Sequence, residues 1–321
     1  MKQACRMKLT YTISELTPYI NWSYFFFAWQ VKDEGEKHRL QAEARDMLVD
    51  LEGKYHAHAL FELYEANGDG DDIVLHAPIS SASPVPTSFS PVSAPFSSDV
   101  TSSFSDSVLS SLYSSNISSQ IHCNFPSRIP LLRQQHPAQE TAPCLCLSDF
   151  LRPLSSGILD RVGVFATSVD SGLETDFASD AYRKMMAQLL ADRLAEAAAE
   201  RMHEQVRKTY WRYAPDENLS IAEMQAEKFQ GIRPAVGYPS LPDTSLNFLL
   251  DGLLDMSQIG IHLTESGAMR PHASVSGLML AHPQSRYFSL GRIGDDQLHD
   301  YARRRNLPVP LLRKFLAGNL E

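Results

Sequence analysis

Ala59-Leu-Phe-Glu-Leu-Tyr64 and Ile73-Val-Leu-His76 show strand-like alternation on either side of Asn67-Gly-Asp-Gly-Asp71. Period-two patterning marks a strand, and Asn, Gly and Asp tolerate a tight reversal, so the stretch predicts two antiparallel strands joined by a turn. The aspartates lack the glutamate that closes a calcium loop at its twelfth position, and turn chemistry accounts for them. Ala273 to Ala281 and Tyr287 to Ile293 read as a second strand pair around His282-Pro-Gln-Ser285. Arg161 to Val169 is a β-rich run closed by Asp170-Ser-Gly172, with no glycine-rich dinucleotide fingerprint after it. Strands and helices intermingle, but the recognisable pairings are hairpins. The expected class is therefore α+β with an antiparallel sheet, not a doubly wound fold.

Helical periodicity fills the intervals. Thr12 to Gln30 places Ile20, Trp22, Phe25, Phe26 and Trp29 on one broad face, with Asn21 the polar exception. Glu36 to Leu51 carries Leu40, Ala44, Met47, Leu48 and Leu51 at helical steps. Ser179 to Tyr210 is the longest candidate, with a stripe of Tyr182, Met186, Leu190, Leu194 and Ala197 and with Glu196 at its border. Ser220 and Glu223 form a capping box for a helix from Ile221 to Lys228. Further helices are expected at Asn247 to Met256, Asp295 to Arg305 and Pro308 to Leu316.

Gln230 to Pro242 is neither helix nor central strand. Pro234, Pro239 and Pro242 each remove a backbone donor and fix φ, while Gly231 and Gly237 supply permissive joints. A rigid loop carrying one Arg and one Tyr suits recognition of a small polar molecule, and it equally suits a plain connector.

The 321 residues are 43% hydrophobic, enough for a proper core, and the net charge of −9 argues against non-specific nucleic-acid binding. The basic run Arg303-Arg-Arg305 closes a polar helix, where cations complement the helix dipole. The first residues show no secretory h-region, no apolar run approaches a membrane span, and the expected location is cytoplasmic. Four cysteines make neither a disulfide framework nor a zinc pattern, so reduced, partly buried thiols are expected. From Ile79 to about Gln120 the chain turns to Ser, Pro, Thr and Phe with hardly a charge, and reads as a disordered insertion at about 79–120 within a domain spanning 1–321.

Several ordered stretches are similar to one family. Gly231-Ile-Arg-Pro-Ala-Val-Gly-Tyr-Pro239, Leu263-Thr-Glu-Ser-Gly-Ala-Met269, Ala273-Ser-Val-Ser-Gly277 and Asp300-Tyr-Ala-Arg-Arg304 resemble the C-terminal activation domain of cobalamin-dependent methionine synthase. Tyr19-Ile-Asn-Trp-Ser-Tyr-Phe-Phe26, Ala191-Asp-Arg-Leu-Ala-Glu-Ala197 and Tyr213-Ala-Pro-Asp-Glu-Asn-Leu219 do so as well. The resemblance implies one C-shaped domain, a curved and twisted antiparallel sheet with flanking helices. It also implies binding of S-adenosylmethionine (AdoMet) and presentation of its methyl group to cobalamin carried by a partner. In the family, cob(I)alamin is occasionally oxidised to inactive cob(II)alamin, and one-electron reduction by flavodoxin or an equivalent reductase, coupled to methyl transfer from AdoMet, repairs it. The implied partners are thus the cobalamin-binding module and that reductase, with no nucleic acid and no membrane.

Carried over by position, Arg233 would contact the AdoMet carboxylate through its guanidinium fork. Ala235, Gly237 and Tyr238 would bind largely through backbone. Glu196 would lie near the methionine ammonium, and Tyr287 and Phe288 match an aromatic pair whose second member is Tyr in the family. Asn21 stands where the family has Asp and gives no charge to a cationic ligand. Leu241-Pro-Asp-Thr244 replaces the family's Cys-Pro-Glu-His. No metal ligands are expected. Methyl transfer from a sulfonium is an in-line displacement needing position more than proton transfer, so no general acid or base is assigned, and His203, His272 and His282 are read as satisfied structural histidines. The chain starts just before the first activation helix, so the expectation is either a stand-alone component acting in trans or a gene fragment or excised domain, not a complete synthase. A module that caps a cobalamin domain without efficient AdoMet binding is the alternative, and a generic methyltransferase is disfavoured for want of a glycine-rich nucleotide loop and a base.

Overall fold

The computed structural model describes residues 6–79, 127–137 and 141–321. In chain order the elements are β1 (Met7–Tyr11), α1 (Ile13–Leu16), α2 (Trp22–Ala28), α3 (Glu34–Leu51), β2 (Ala57–Asp69), β3 (Asp72–Pro78), β4 (Ser127–Pro130) and β5 (Asp160–Val169). There follow α4 (Gly172–Thr175), α5 (Ala181–Gln205), α6 (Ile221–Gln225), α7 (Leu246–Leu254), β6 (His262–Leu263), β7 (Met269–Arg270), β8 (Ser274–Met279), α8 (Asp295–Arg305) and α9 (Val309–Phe315). Apart from Ile79, the Ser/Pro-rich stretch 79–120 lies outside the described residues.

Every pairing in the main sheet is antiparallel, in the order β4-β3-β2-β5-β8. The long β2 organises it: β1 pairs with its first half and β3 with its second, while β5 runs along the opposite side. β2 continues through Asn67 and Gly68 to Asp69, so the turn shrinks to Gly70 and Asp71, with Gly70 at a positive φ. The aspartates around it pair with arginines: Asp69 and Asp72 with Arg128, Asp71 with Arg133, and Asp72 also with Arg304.

Both faces of the sheet are covered. Ala57, Ala59, Phe61, Phe165, Val275 and Met279 pack against α1, α3 and the apolar stripe of α5. Leu60, Tyr64, Val162, Val164 and Leu278 face α7, through Leu246, Leu250 and Leu253. The period of two thus sorts alternate residues into two cores, each fully buried large side chain adding about 1.5–3 kcal/mol. A third cluster joins Leu290, Ile293, Leu298, Tyr301, Leu312 and Leu316 and seats α8 and α9. This single domain is a curled antiparallel half-barrel with flanking helices.

The second hairpin of the sequence reading does not form. β8 is present, but Tyr287 to Ile293 is not a strand paired with it. One edge of β8 belongs to β5, and the other is taken by the proline-rich loop, through Ile232 N–H to Leu280 O at 2.9 Å, Leu280 N–H to Ile232 O at 2.9 Å, Leu278 N–H to Pro234 O at 3.0 Å and Val236 N–H to Ser276 O at 2.9 Å. The first helical region is also interrupted, with a short 3-10 turn at Thr17–Tyr19 that carries Pro18. α6 stops early where Glu227 takes a positive φ. Tyr182 on α5 is 46% exposed, outside the buried stripe. Two arginines of the basic run are inward clamps: Arg304 bonds Asp72 and Asp300, and Arg305 bonds Asp243 and the Tyr301 hydroxyl. Among the described residues Cys144 and Cys146 form no disulfide, and burial pushes the Cys146 thiol up to about 12. No helix among the described residues is long and apolar enough to cross a membrane.

Candidate functional site

The loop from Gln230 to Pro242 reaches the sheet because β8 has a glycine where it lands. A Cβ on Gly277 would sit 2.2 Å from Pro234 O and 2.9 Å from Ala235 Cα. Beyond this contact the chain reverses: Tyr238 N–H bonds Ala235 O at 3.2 Å, Leu241 N–H bonds Tyr238 O at 2.8 Å, and Gly237 N–H bonds Leu241 O at 2.9 Å. Gly237 has φ +89°, a conformation an L side chain rarely adopts, and the nearest atom to its missing Cβ is Thr244 Cγ2 at 3.7 Å. Rigid backbone with open space beside it is the outcome.

Arg233 projects from this loop onto α5. Its Nη2 bonds Glu200 Oε1, and its Nη1 lies 3.9 Å from Glu196 Oε2. The Tyr238 hydroxyl donates to Glu196 Oε1 at 2.7 Å, and Arg233 N–H donates to the Tyr287 hydroxyl at 3.0 Å. Burial opposes the Arg233 charge, but Glu200, Tyr287 and Glu196 outweigh it and raise its pKa above the ordinary arginine value. Burial, then the Glu196 carboxylate, holds Tyr238 in its neutral form well above the usual phenol range, and burial raises Tyr287 too. Tyr238 remains 53% exposed and Tyr287 36%, so both hydroxyl-bearing rings border solvent. The arrangement offers a buried guanidinium, two carboxylates one helical turn apart and a fixed run of backbone.

Of the residues singled out from sequence, Arg233, Glu196, Tyr238 and Tyr287 are in one hydrogen-bonded and ion-paired group, and Ala235 and Gly237 shape the same loop. Phe288 is differently employed. Its backbone carbonyl and N–H bond Ser240 Oγ at 2.5 and 3.1 Å, and its ring packs against the core between sheet and α7. Asn21 caps α2 by accepting from Ser23 N–H at 3.1 Å, and among the described residues no hydrogen bond or ion pair joins it to Arg233. The sequence reading does not single out Glu200, which lies one helical turn beyond Glu196 and acquires its role only from the loop that faces α5. Asp243, in the stretch that departs from the family pattern, is a buried anchor for Arg305 and Tyr301.

None of the three histidines enters the group, but neither are all of them the satisfied structural residues expected. His203 is fully buried, with Nε2 3.3 Å from the Tyr213 hydroxyl and Nδ1 without a partner among the described residues. Burial, with Arg207 and Arg233 nearby, depresses its pKa well below 6.5. His272 is an exposed neighbour of Asp192 at 3.4 Å, and His282 accepts from Gln284 N–H at 3.1 Å.

The model of the family described as "Vitamin B12 dependent methionine synthase, activation domain" matches residues 12–90 and 110–306. Among solved structures, the chain is similar to the crystal structure of the MetH reactivation domain bound to AdoHcy, with a TM-score of 0.80 and 34% identity, covering 99% of this chain and 91% of that one.

Proposed function

The chain belongs to the activation-domain family of vitamin B12-dependent methionine synthase, and on that premise we propose that it binds AdoMet and supplies the methyl group for reductive reactivation of cob(II)alamin. The observation that carries this reading is the state of Arg233: its guanidinium is buried and held by Glu200, yet Nε has no acceptor among the described residues. A buried charged donor without a partner is costly, and a ligand carboxylate satisfies it. A solved relative with 34% sequence identity was crystallised bound to AdoHcy, which supports the same class of ligand for this chain.

Arg233 then binds the carboxylate of the methionine moiety, and Glu196 holds its ammonium. The backbone of Ala235, Gly237 and Tyr238 lines the ligand, with Tyr287 as the aromatic side of the site. When bound, AdoMet supplies an electrophilic methyl group and leaves as AdoHcy, the electron needed at cobalt coming from flavodoxin or an equivalent reductase. The chain's own task is orientation. A fixed donor facing cobalamin held by the cobalamin-binding module converts a bimolecular encounter into a local one, and no proton has to move.

Calorimetric titration with AdoMet and AdoHcy tests this. Saturable one-to-one binding that Arg233→Ala abolishes is expected; unchanged affinity in that variant sinks the assignment. A second reading rests on Asn21, whose uncharged side chain is committed to capping α2. On that account the domain caps a cobalamin module without efficient AdoMet binding, and Asn21→Asp restores tight binding.

A further inference from the structure

Arg233 has two carboxylates of α5 within reach and is held by one. Glu196 and Glu200 project from successive turns of α5, but only Glu200 hydrogen-bonds the guanidinium; at 3.9 Å Glu196 is beyond that range. The Glu196 carboxylate instead accepts from the exposed Tyr238 hydroxyl. The Arg233 and Glu200 side chains are only 13% and 18% exposed, so this cation requires a neighbouring anion at all times. Glu200 provides the hydrogen-bonded one, leaving Glu196 the weaker ion-pair partner at 3.9 Å.

We infer that Glu200 is a positioning residue: by carrying the countercharge of Arg233 it keeps Glu196 free for the ammonium of an amino-acid-bearing nucleoside, and holds Arg233 ready for the carboxylate. The inference rests on the AdoMet-binding reading above. Two orphaned atoms support it. Arg233 Nε and Glu200 Oε2 are both buried without a hydrogen-bond partner among the described residues, leaving one donor and one acceptor at the same ion pair. The orphaned donor matches the carboxylate of a zwitterion, whose ammonium is left to Glu196. With the Glu200 charge removed, the anion left on the facing turn of α5 is Glu196, and the buried guanidinium moves onto it.

The test uses Glu200→Gln, which keeps shape and removes charge. A ligand-free crystal structure of the variant should show Arg233 hydrogen-bonded to Glu196. Titrations compare AdoHcy with 5′-methylthioadenosine, a thioether nucleoside lacking the amino-acid tail. Glu200→Gln should weaken AdoHcy by about tenfold or more while leaving methylthioadenosine unchanged, and Glu200→Asp should recover part of the loss. In a Glu196→Gln background the second substitution should cost less than about twofold, since the two act through one group. Equal weakening of both ligands would mark Glu200 as merely structural, and an unmoved Arg233 or an unchanged AdoHcy affinity would overturn the inference. Failure of the unmodified chain to bind AdoHcy would instead remove the AdoMet reading, while the ligand-free position of Arg233 still decides the pairing.

Discussion

Gly277→Ala should detach the loop that carries Arg233. The added methyl would meet Pro234 O at 2.2 Å, Ala235 Cα at 2.9 Å and Phe165 Cε1 at 3.0 Å. Two of these are backbone atoms that no rotamer change can move. A carbon approaches a carbonyl oxygen no closer than about 3.3 Å, so the loop must retreat by roughly 1 Å. That retreat stretches the two hydrogen bonds flanking the contact, Val236 N–H to Ser276 O and Leu278 N–H to Pro234 O. Each is worth about 1 kcal/mol net, and buried groups left unmatched cost more, giving a loss of about 2–4 kcal/mol. For a chain of this size the melting temperature should fall by roughly 3–6 °C. Gly318→Ala, where nothing lies within 4 Å, is the matched control and should be neutral. Thermal melts by circular dichroism read the stability, and AdoHcy titration reads the site, whose affinity should fall because Arg233, Ala235 and Gly237 ride on the loop. A Gly277→Ala protein with unchanged melting temperature and affinity would refute the docking of this loop on β8.

Asp243→Ala should destabilise the chain by about 3–5 kcal/mol, because it leaves the Arg305 guanidinium buried without its carboxylate and removes acceptors for Tyr301 and Ser245 N–H. Urea denaturation measures it, and a change below about 1 kcal/mol would refute the clamp. His203 sets an acid limit. It stays neutral when folded because of burial and then Arg207 and Arg233, whereas the unfolded chain takes up a proton at the ordinary 6.5, so proton binding favours unfolding. This contribution to stability is present above pH 6.5 and is lost as pH falls below it. Melting temperatures across that range should drop for the native protein and less steeply for His203→Gln; parallel curves would exclude His203 as the cause.

Local patterning was legible where one element's own residues decide its form. The run from Arg161 to Val169 became β5 with one residue added, and Ser220 with Glu223 formed the anticipated capping box. Pro18 and the positive φ of Glu227 shortened helices, and only the proline was a visible signal. The strand expected from Tyr287 to Ile293 failed for another reason. Its alternation was compatible with pairing, but the edge of β8 it needed was already occupied. At the candidate site, Arg233 and Glu196 stood out through family motifs, while Glu200 became visible only once α5 and the loop were brought face to face.

The sequence by itself determined the antiparallel α+β class, the positions of the main strands and helices and the rigidity of the Gln230 to Pro242 loop. Each depends on periodicity or on φ restrictions that act within a few residues. Only the tertiary structure decided that this loop takes the free edge of β8, that Arg304 and Arg305 turn inward, and that Glu200 holds Arg233. These outcomes are competitions among distant groups for one hydrogen-bonding edge or one buried charge, and burial, which sets the strength of each competitor, exists only after the chain has folded.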